Sequence, residues 1–488
     1  MEDSLYKGLV DFDCKLTKNK YITRDCINKT VTAERIKAEL PDIWDDSLVT
    51  KIERSKKLIS ILVKIDKIRE IKTLLGNGLT DDDLPLDHRH PKMSSCFKGW
   101  TPVGYNLFLE MQWRVLAPVL DFNTDKPTDI KLQRGCGLPF HCEKGIKTQS
   151  NIVYKATLQP GHWRDDSRQD PSPVAIKKFN NELMFREEQN NLERARALKS
   201  SHITQHLAVC AEASIIIFPW ATGGSLENFW QRENRSQPAD PSLVLWSLRQ
   251  MAGLAEGVKN LHTINCRHGD LKPGNILHFS STNDPQGILR IADLGISRFH
   301  QDPTTNRNKP TVTNESTQAY EGPEASRLSV SKPRSRTFDS WSLGCIMLEF
   351  LIWLLDAQSL KRFQAARDDG EDPFYIFEKV PNNSNAVNHP AVDTFLKELR
   401  NDQRCRGTVI ERVVDIVDTK LLQIEADKRS TSNELHQDLQ RLIRLVQNNK
   451  LKLINVDPST TPALPTSEPT SSPLPSFLQP NSQWCAIL

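Results

Sequence analysis

Apolar residues recur at helical spacing in two stretches of this 488-residue chain, one near its N-terminus and one near its middle. In the first stretch they are interleaved with lysines. The two sets are Leu58, Ile61, Leu62, Ile65, Ile68 and Ile71, and Leu245, Leu248, Ala252, Ala255, Val258 and Leu261. Because side chains three or four residues apart share one face of an α-helix, we expect helices whose apolar faces are buried.

Shorter apolar runs predict strands. They are residues 153–156, 174–177, 215–218 and 288–291. The third run is followed by two glycines and by Ser225, which we expect to cap the N-terminus of the next helix. The apolar run 345–355 contains Glu349 and is much shorter than the roughly 20 residues that a membrane span needs, so it predicts a buried helix.

The amino-acid composition gives little further information about function. The 64 basic and 61 acidic side chains give a formal charge of +3, which provides no argument for a nucleic-acid partner. The ten cysteines show no paired metal-ligand spacing, and the first residues lack a basic region followed by an apolar stretch. We therefore expect reduced thiols and a cytoplasmic location.

The candidate chemistry lies in residues 268–275, whose sequence is His-Gly-Asp-Leu-Lys-Pro-Gly-Asn. Asp270 can orient a hydroxyl group and accept its proton, Lys272 can contact a phosphate, and Asn275 can offer an oxygen to Mg2+. Asp293, which follows the predicted strand 288–291, is a natural second metal ligand. These residue types are the ones that phosphoryl transfer requires.

Residues 142–447 resemble a eukaryotic-type protein kinase domain, of the divergent, fungal-like Ser/Thr type. The resemblance implies an α+β, bilobal fold with a small β-rich N-lobe and a large helical C-lobe. We expect three regions: a helical accessory region (1–130), a protein-kinase-like domain (131–447) and a disordered tail rich in Pro, Ser and Thr (448–488). A role for the accessory region is not indicated by any motif.

The resemblance also assigns roles in the small lobe. Lys177, at the end of the Val-Ala-Ile-Lys run, would hold the α- and β-phosphates of ATP and pair with a glutamate of the following helix. Helical spacing from Phe185 and Leu192 favours Glu188 for that pair, with Glu187 as the alternative. The remaining nucleotide contacts would come from the second strand, the gatekeeper position and the linker, at Val153, Phe218, Trp220 and Ala221.

The nucleotide loop departs from the family pattern. If 153–156 is the second strand, the three expected glycine positions hold Ile146, Thr148 and Asn151, with Gly145 displaced nearby. An alternative placement at residues 134–137 has two glycines, but the apolar pattern after it is interrupted. Missing glycines would restrict the backbone near the phosphates without forbidding nucleotide binding.

Two positions indicate the substrate class. Lys272 resembles the lysine of Ser/Thr kinases, and Thr317 resembles the threonine that bonds the catalytic Asp and Lys in them, so a protein substrate with a Ser or Thr hydroxyl is expected.

Gly269 replaces the arginine usual between His and Asp, which argues against activation by loop phosphorylation. Glu324 resembles the glutamate of the family's Ala-Pro-Glu element, with Arg429 as its ion-pair partner.

The sequence ends in Cys485-Ala486-Ile487-Leu488, which has the form of a prenylation box for a geranylgeranyl group on Cys485. A single lipid chain would give reversible membrane attachment.

Together, the motifs predict a Ser/Thr protein kinase that uses ATP and Mg2+, with Asp270 as catalytic base. The alternative is a pseudokinase, a binding module with the same fold and little turnover. The oligomeric state is not indicated.

Overall fold

The computed structural model describes residues 4–455 except 43, 46, 122–125, 149–150, 165–172, 233–239, 282–285, 295–297, 300–317, 326–334 and 381–382. The chain forms two compact units. The N-terminal unit comprises Met1–Phe185 and His206–Trp220, and the C-terminal unit comprises Arg186–Gln205 and Ala221–Leu488. The predicted boundary at residue 130 stays a prediction, although residues on both sides of it lie in the N-terminal unit.

The N-terminal unit combines short helices with a sheet. Its helices are α1 Leu5–Gly8, α2 Arg24–Thr30, α3 Ala33–Glu39, α4 Leu48–Glu53, α5 Lys56–Lys64, α6 Ile71–Gly76, α7 Met93–Cys96 and α8 Pro102–Val115. Its strands are β1 Phe12–Asp13, β2 Lys20–Tyr21, β3 Thr128–Asp129, β4 Phe140–Cys142, β5 Ile146–Lys147, β6 Asn151–Leu158, β7 Val174–Phe179, β8 Ala208–Cys210 and β9 Ile215–Pro219. Helix α9, Glu182–Arg196, contains the division between the units.

The seven-stranded sheet has the order β3-β8-β9-β7-β6-β4, and β5 also pairs with β6. All its pairs are antiparallel except β3 with β8. Val153 lies opposite Lys177, and Ala175 lies opposite Phe218. Because paired residues share a face and successive residues alternate, these four side chains lie on one face of the sheet.

The opposite face of the sheet is covered by the N-terminal region. The shared apolar core contains Val174, Ile176, Ile215 and Ile217 of the sheet together with Cys14, Leu16, Tyr21, Leu120 and Ile130. Polar contacts fix the same segment: the ammonium of Lys15 donates to the Cys142 carbonyl at 2.7 Å, and that of Lys178 donates to the Leu16 carbonyl. The region before the sheet is therefore a structural part of it.

The helical stripe predicted around residues 58–71 is present but interrupted. Leu58, Ile61 and Leu62 are buried on α5, which ends at Lys64. The chain then turns through Asp66, whose φ is +56°, before α6 begins at Ile71. Apolar spacing continues across the turn, so spacing alone did not locate this break.

His162 joins α2 to the sheet as a buried neutral imidazole. Its Nε2 accepts a hydrogen bond from the Arg24 amide at 2.9 Å, and its Nδ1 lies 2.9 Å from the Pro118 carbonyl. Since a carbonyl can only accept, Nδ1 carries the proton and Nε2 is unprotonated. Burial lowers the pKa of His162, and the charges of Arg24 and Lys57 lower it further, against the opposing hydrogen bond to Pro118.

We therefore expect the stability of the protein to fall in mild acid. A histidine whose pKa is lower in the folded state contributes stability above its unfolded pKa of about 6.5, and this contribution is lost as pH falls through the folded value. The slope is at most about 1.4 kcal/mol per pH unit for one group. Thermal unfolding midpoints between pH 7.5 and 5 measure it.

The control for this prediction uses two His→Gln variants. His162→Gln should reduce the loss of stability at acidic pH only in part. Burial also lowers the pKa of His202, so that residue still contributes to the loss. His141→Gln removes an exposed imidazole from β4 and should leave the loss of stability at acidic pH unchanged. Equal losses in wild type and His162→Gln would contradict the role of His162.

The C-terminal unit is mainly helical. Its helices are α10 Leu226–Arg232, α11 Pro241–Thr263, α12 Thr337–Leu355, α13 Ala357–Ala365, α14 Pro390–Asn401, α15 Val409–Ile416 and α16 Ser432–Gln447. Its strands are β10 Cys266–Arg267, β11 Ile276–Phe279, β12 Ile288–Ile291, β13 Arg298–Phe299, β14 Tyr375–Val380 and β15 Asn383–Asn388. One large apolar core joins α10 to α16.

Helix α12 lies at the centre of that core. Among the described residues it is the one helix long and apolar enough to cross a membrane, and its apolar stretch is wholly buried within the fold. The predicted buried helix after residue 345 is confirmed, as are the strands at 215–218 and 288–291. Ser225 caps α10 as predicted, because its hydroxyl accepts the Asn228 amide hydrogen at 3.2 Å.

Candidate active site

The loop after β10 holds three of the predicted site residues in contact. The Asn275 side-chain amide donates to the backbone carbonyl of Asp270 at 2.8 Å and to its carboxylate Oδ2 at 3.0 Å. The ammonium of Lys272 lies 3.0 Å from the same Oδ2. The Asp270 carboxylate is thus held by two neighbours of its own loop.

The hairpin of β11 and β12 places Asp293 next to this loop. Ile276 pairs with Ile291, so the residues just outside the hairpin, Asn275 and Ala292, are also adjacent. The Ala292 amide donates to the Asn275 carbonyl at 2.9 Å. Asp293 follows Ala292 directly. The pairing of β11 with β12 therefore places Asp293 near Asn275, although the two residues are 18 positions apart in the sequence.

The oxygen atoms of these residues fit a hard divalent cation. Asn275 is fully buried, and its Oδ1 has no hydrogen-bond partner among the described residues. A buried acceptor without a donor costs free energy unless a ligand satisfies it. A small divalent cation takes few protein ligands and keeps waters and substrate phosphates, so Asn275 and Asp293 are the residues that could hold one. No cluster of three or more His, Cys, Asp or Glu suited to a metal occurs in the described ranges.

A buried carboxylate, Asp339 at the start of α12, fixes the loop backbone. It accepts the amide hydrogens of His268 and Gly269, both at 2.9 Å, and its Oδ2 lies 2.8 Å from His262 Nε2. Burial acts to raise the pKa of Asp339, but the hydrogen bond and charge of His262 outweigh it and lower the pKa. His262 Nδ1 in turn lies 2.9 Å from the Ser432 hydroxyl.

Two backbone positions at the site are left-handed. Gly269 has φ +84°, which suits glycine because it has no Cβ. Asp293 has φ +62°, an uncommon value for a residue with a side chain. Such a conformation persists only where its surroundings fix it, and it is frequent at functional sites.

The predicted nucleotide contacts of the N-terminal unit share one sheet face. Lys177 is 1% exposed, and Val153 and Phe218 are also buried there. Trp220, just after β9, is half-buried with the Lys155 ammonium 5.5 Å from its ring. Ala221, the first residue after that segment in the C-terminal unit, is buried.

Helix α9 distinguishes the two candidate glutamates. Glu188 is 2% exposed and lies on the same buried face as Phe185 and Leu192, whereas Glu187 is exposed. The helical spacing that favoured Glu188 therefore agrees with its burial. Its pairing with Lys177 stays a prediction.

The hairpin of β5 and β6 coincides with the first placement of the nucleotide loop. Ile146 pairs with Val153, and the Thr148 amide donates to the Asn151 carbonyl at 2.9 Å next to the turn. Gly135 and Gly137, of the alternative placement, precede β4. A Cβ on Gly137 would lie 2.8 Å from the Tyr21 ring, so that glycine permits close packing.

The remaining predicted residues fall in two groups. Arg429 forms a bidentate ion pair with Glu324, with distances of 2.7 and 2.9 Å, which confirms the predicted partner. Thr317 and Cys485 lie outside the described residues, so their roles stay predictions.

The sequence analysis missed His262, Asn191 and Arg367. Asn191 donates to the Leu294 carbonyl at 2.8 Å, and Arg367 pairs with Glu349 inside the C-terminal unit. A signal existed for one of them, since Glu349 within an apolar run needs a buried partner. The helical spacing that favoured Glu188 also places Asn191 on the buried face, but no local pattern indicated its partner Leu294.

Known proteins resemble this chain over part of its length. The family described as "Protein kinase domain" matches residues 166–439, which is more than half of the chain. A putative cyclin-dependent kinase F-2 from Oryza sativa subsp. japonica is 29% identical over 154 residues, covering 32% of this chain and 43% of the relative. A probable cyclin-dependent kinase 8 from Dictyostelium discoideum is 29% identical over 213 residues, covering 41% and 50%.

A third relative, the serine/threonine kinase NLK of Caenorhabditis elegans, is 37% identical over 99 residues, or 20% of this chain and 14% of the relative. The matched segments thus span half or less of the length of these curated relatives. The fungal likeness stays a prediction. The family model matches more than half of the chain, including the loop 268–275 and α12, and this match shows that the chain belongs to the protein kinase domain family.

Proposed function

We propose that this chain is a Ser/Thr protein kinase that transfers the γ-phosphate of ATP to a protein hydroxyl and uses Mg2+. The observation that carries the proposal is the arrangement of Asn275. Its side-chain nitrogen donates to Asp270, and its backbone carbonyl accepts from Ala292, the residue that precedes Asp293. Its buried Oδ1 has no donor among the described residues.

Each residue of the loop has a distinct task in this reaction. Asp270 orients the substrate hydroxyl and receives its proton as the oxygen–phosphorus bond forms and the bond to the leaving ADP oxygen breaks. Lys272 lies against Asp270 and offers positive charge to the transferring phosphate. Asn275 and Asp293 would hold the divalent cation, which neutralises phosphate charge when bound.

In the N-terminal unit, the sheet face with Lys177 supports nucleotide binding. The Lys177 ammonium is a cation suited to the phosphates of ATP, and it stands at the end of the Val-Ala-Ile-Lys run that resembles the family pattern. Val153 and Phe218 provide an apolar surface on the same face. We assign the adenine to this surface and to Trp220, which follows β9 in the same unit.

The choice of serine and threonine rests on Lys272 and on the names of the relatives, two of which are described as cyclin-dependent kinases and one as a serine/threonine kinase. The rival proposal is a pseudokinase. It is favoured by the sequence of the β5 and β6 segment, where Ile146, Thr148 and Asn151 stand at positions expected to be glycine.

The two proposals are separated by a transfer assay with metal removal. Purified protein is incubated with radiolabelled ATP, Mg2+ and a general protein substrate, and the labelled amino acids are identified after hydrolysis. We expect label on serine or threonine, reduced to background when EDTA removes the metal. ATP-dependent thermal stabilisation without transfer would support the pseudokinase, and label on tyrosine would contradict the substrate class.

A further inference from the structure

Asn191 connects helix α9 to the turn that carries Asp293. Its side-chain amide donates to the Leu294 backbone carbonyl at 2.8 Å, and both residues belong to the C-terminal unit. Asn191 is 8% exposed and Leu294 is 1% exposed, so water does not compete freely for this bond. The contact joins positions 103 residues apart in sequence.

The turn needs such a contact because Asp293 has a left-handed backbone. Several hydrogen bonds fix the two residues before it. Ile291 exchanges 2.8 Å hydrogen bonds with residues 202 and 204, and Ala292 bonds to Asn275. The Ala292 carbonyl also lies 3.0 Å from His268 Nε2. On the other side of Asp293, the Leu294 carbonyl is held by Asn191.

We propose that Asn191 is a positioning residue that keeps Asp293 in its metal-binding conformation. This inference rests on the proposed function, because it assumes that Asp293 holds the metal.

The role predicts a specific defect when the bond is lost. The buried Leu294 carbonyl would lose its donor, and Asp293 would leave the left-handed conformation for part of the time. Metal binding needs Asp293, whereas nucleotide binding without metal does not. The loss should therefore appear as a smaller gain in ADP affinity on adding Mg2+.

The chain supplies a matched pair for the test. Asn191→Leu removes the buried amide, and Asn190→Leu removes an exposed amide from the adjacent position of the same helix. Calorimetry measures ADP affinity with Mg2+ and with EDTA. For Asn191→Leu we expect the Mg2+-dependent gain to fall about five- to tenfold, the effect of one buried hydrogen bond, with affinity in EDTA within about twofold of wild type. Asn190→Leu should match wild type.

A second measurement uses no ligand and no activity. Hydrogen exchange of peptides spanning Leu294 in the free protein should be faster by a similar factor in Asn191→Leu than in Asn190→Leu. Asn191→Asp, which keeps the shape and loses the donor, repeats the test should the leucine variant fold poorly. Wild-type metal dependence and exchange in both Asn191 variants would overturn the role. A wild-type protein whose ADP affinity ignores Mg2+ would overturn the metal site itself, whereas Mg2+-dependent binding without transfer would overturn only the proposed kinase activity.

Discussion

Replacing Asp270 by asparagine is expected to lower the rate of phosphoryl transfer by about 10²- to 10⁴-fold, the usual contribution of a general base. The substitution keeps the size of the side chain and removes its charge and basicity. An asparagine oxygen can still accept from Asn275, so the loop should keep its conformation. Steady-state transfer rates with radiolabelled ATP measure the effect, and ADP affinity should remain within about twofold of wild type.

The geometry explains why the defect should be confined to turnover. Asp270 contacts Lys272 and Asn275 of its own loop, while Asp339 holds the loop backbone through separate bonds to residues 268 and 269. Removing one carboxylate from the loop therefore leaves its anchor intact. Thermal unfolding of the variant should stay close to that of wild type.

Asp427→Asn is the control for this prediction. Asp427 is an exposed aspartate in the C-terminal unit, so its substitution removes the same charge without touching the loop. It should retain the wild-type rate. Asp270→Asn with more than one-third of the wild-type rate would contradict the assignment of Asp270 as base.

The parts of the site that the sequence predicted are those set by local geometry. The loop 268–275 is contiguous, so its residue types alone indicated its chemistry. Helical spacing selected Glu188 over Glu187, and the short hairpin brought Asp293 to Asn275. Each of these inferences needs only a helix or a strand pair, whose side-chain directions are fixed by backbone geometry.

The parts that could not be predicted depend on long-range packing. The contacts of Lys15 with the Cys142 carbonyl and of Asn19 with the Cys136 carbonyl span 127 and 117 residues. No local pattern indicates which face of the sheet residues 14–21 will cover. Asn191 presents the same difficulty, since its position on α9 was predictable but its partner at Leu294 was not.

Glu349 carried two pieces of information in the sequence, and the sequence analysis used only one of them. Its charge argued against a membrane helix, and the same charge inside a buried helix also required a partner. The partner is Arg367, just after α13, with Nη2 3.1 Å from Glu349 Oε1 and both side chains fully buried. The Tyr320 hydroxyl donates to Glu349 Oε2 at 2.9 Å.

Replacing Arg367 by methionine is therefore expected to lower the free energy of unfolding by about 3–5 kcal/mol, since it leaves a buried carboxylate without its counter-charge. The guanidinium also donates to the Asp372 carbonyl at 2.8 Å and lies 3.9 Å from the Phe374 ring centroid. Burial raises the pKa of Glu349, and the charge of Arg367 opposes that rise. Denaturant unfolding followed by tryptophan fluorescence measures the loss.

The pH dependence of the loss identifies its cause. Without Arg367 the pKa of Glu349 rises further, and a carboxyl whose pKa is raised in the folded state loses its stability contribution as pH rises through that value. The deficit of Arg367→Met should therefore be larger at pH 8 than at pH 5. Adding Glu349→Gln removes the unpaired charge, so the double variant should recover a large part of the lost stability.

Arg362→Met is the matched control, because Arg362 forms an ion pair with Glu398 at 3.2 Å while its side chain is 61% exposed. An exposed pair contributes about 0–1 kcal/mol, so this variant should unfold nearly as wild type does. Equal losses for the two arginines, or a double variant less stable than Arg367→Met, would show that packing rather than charge pairing accounts for Arg367. The expected pattern would instead show that the charge of Arg367 balances the buried Glu349 carboxylate, which also accepts a hydrogen bond from Tyr320.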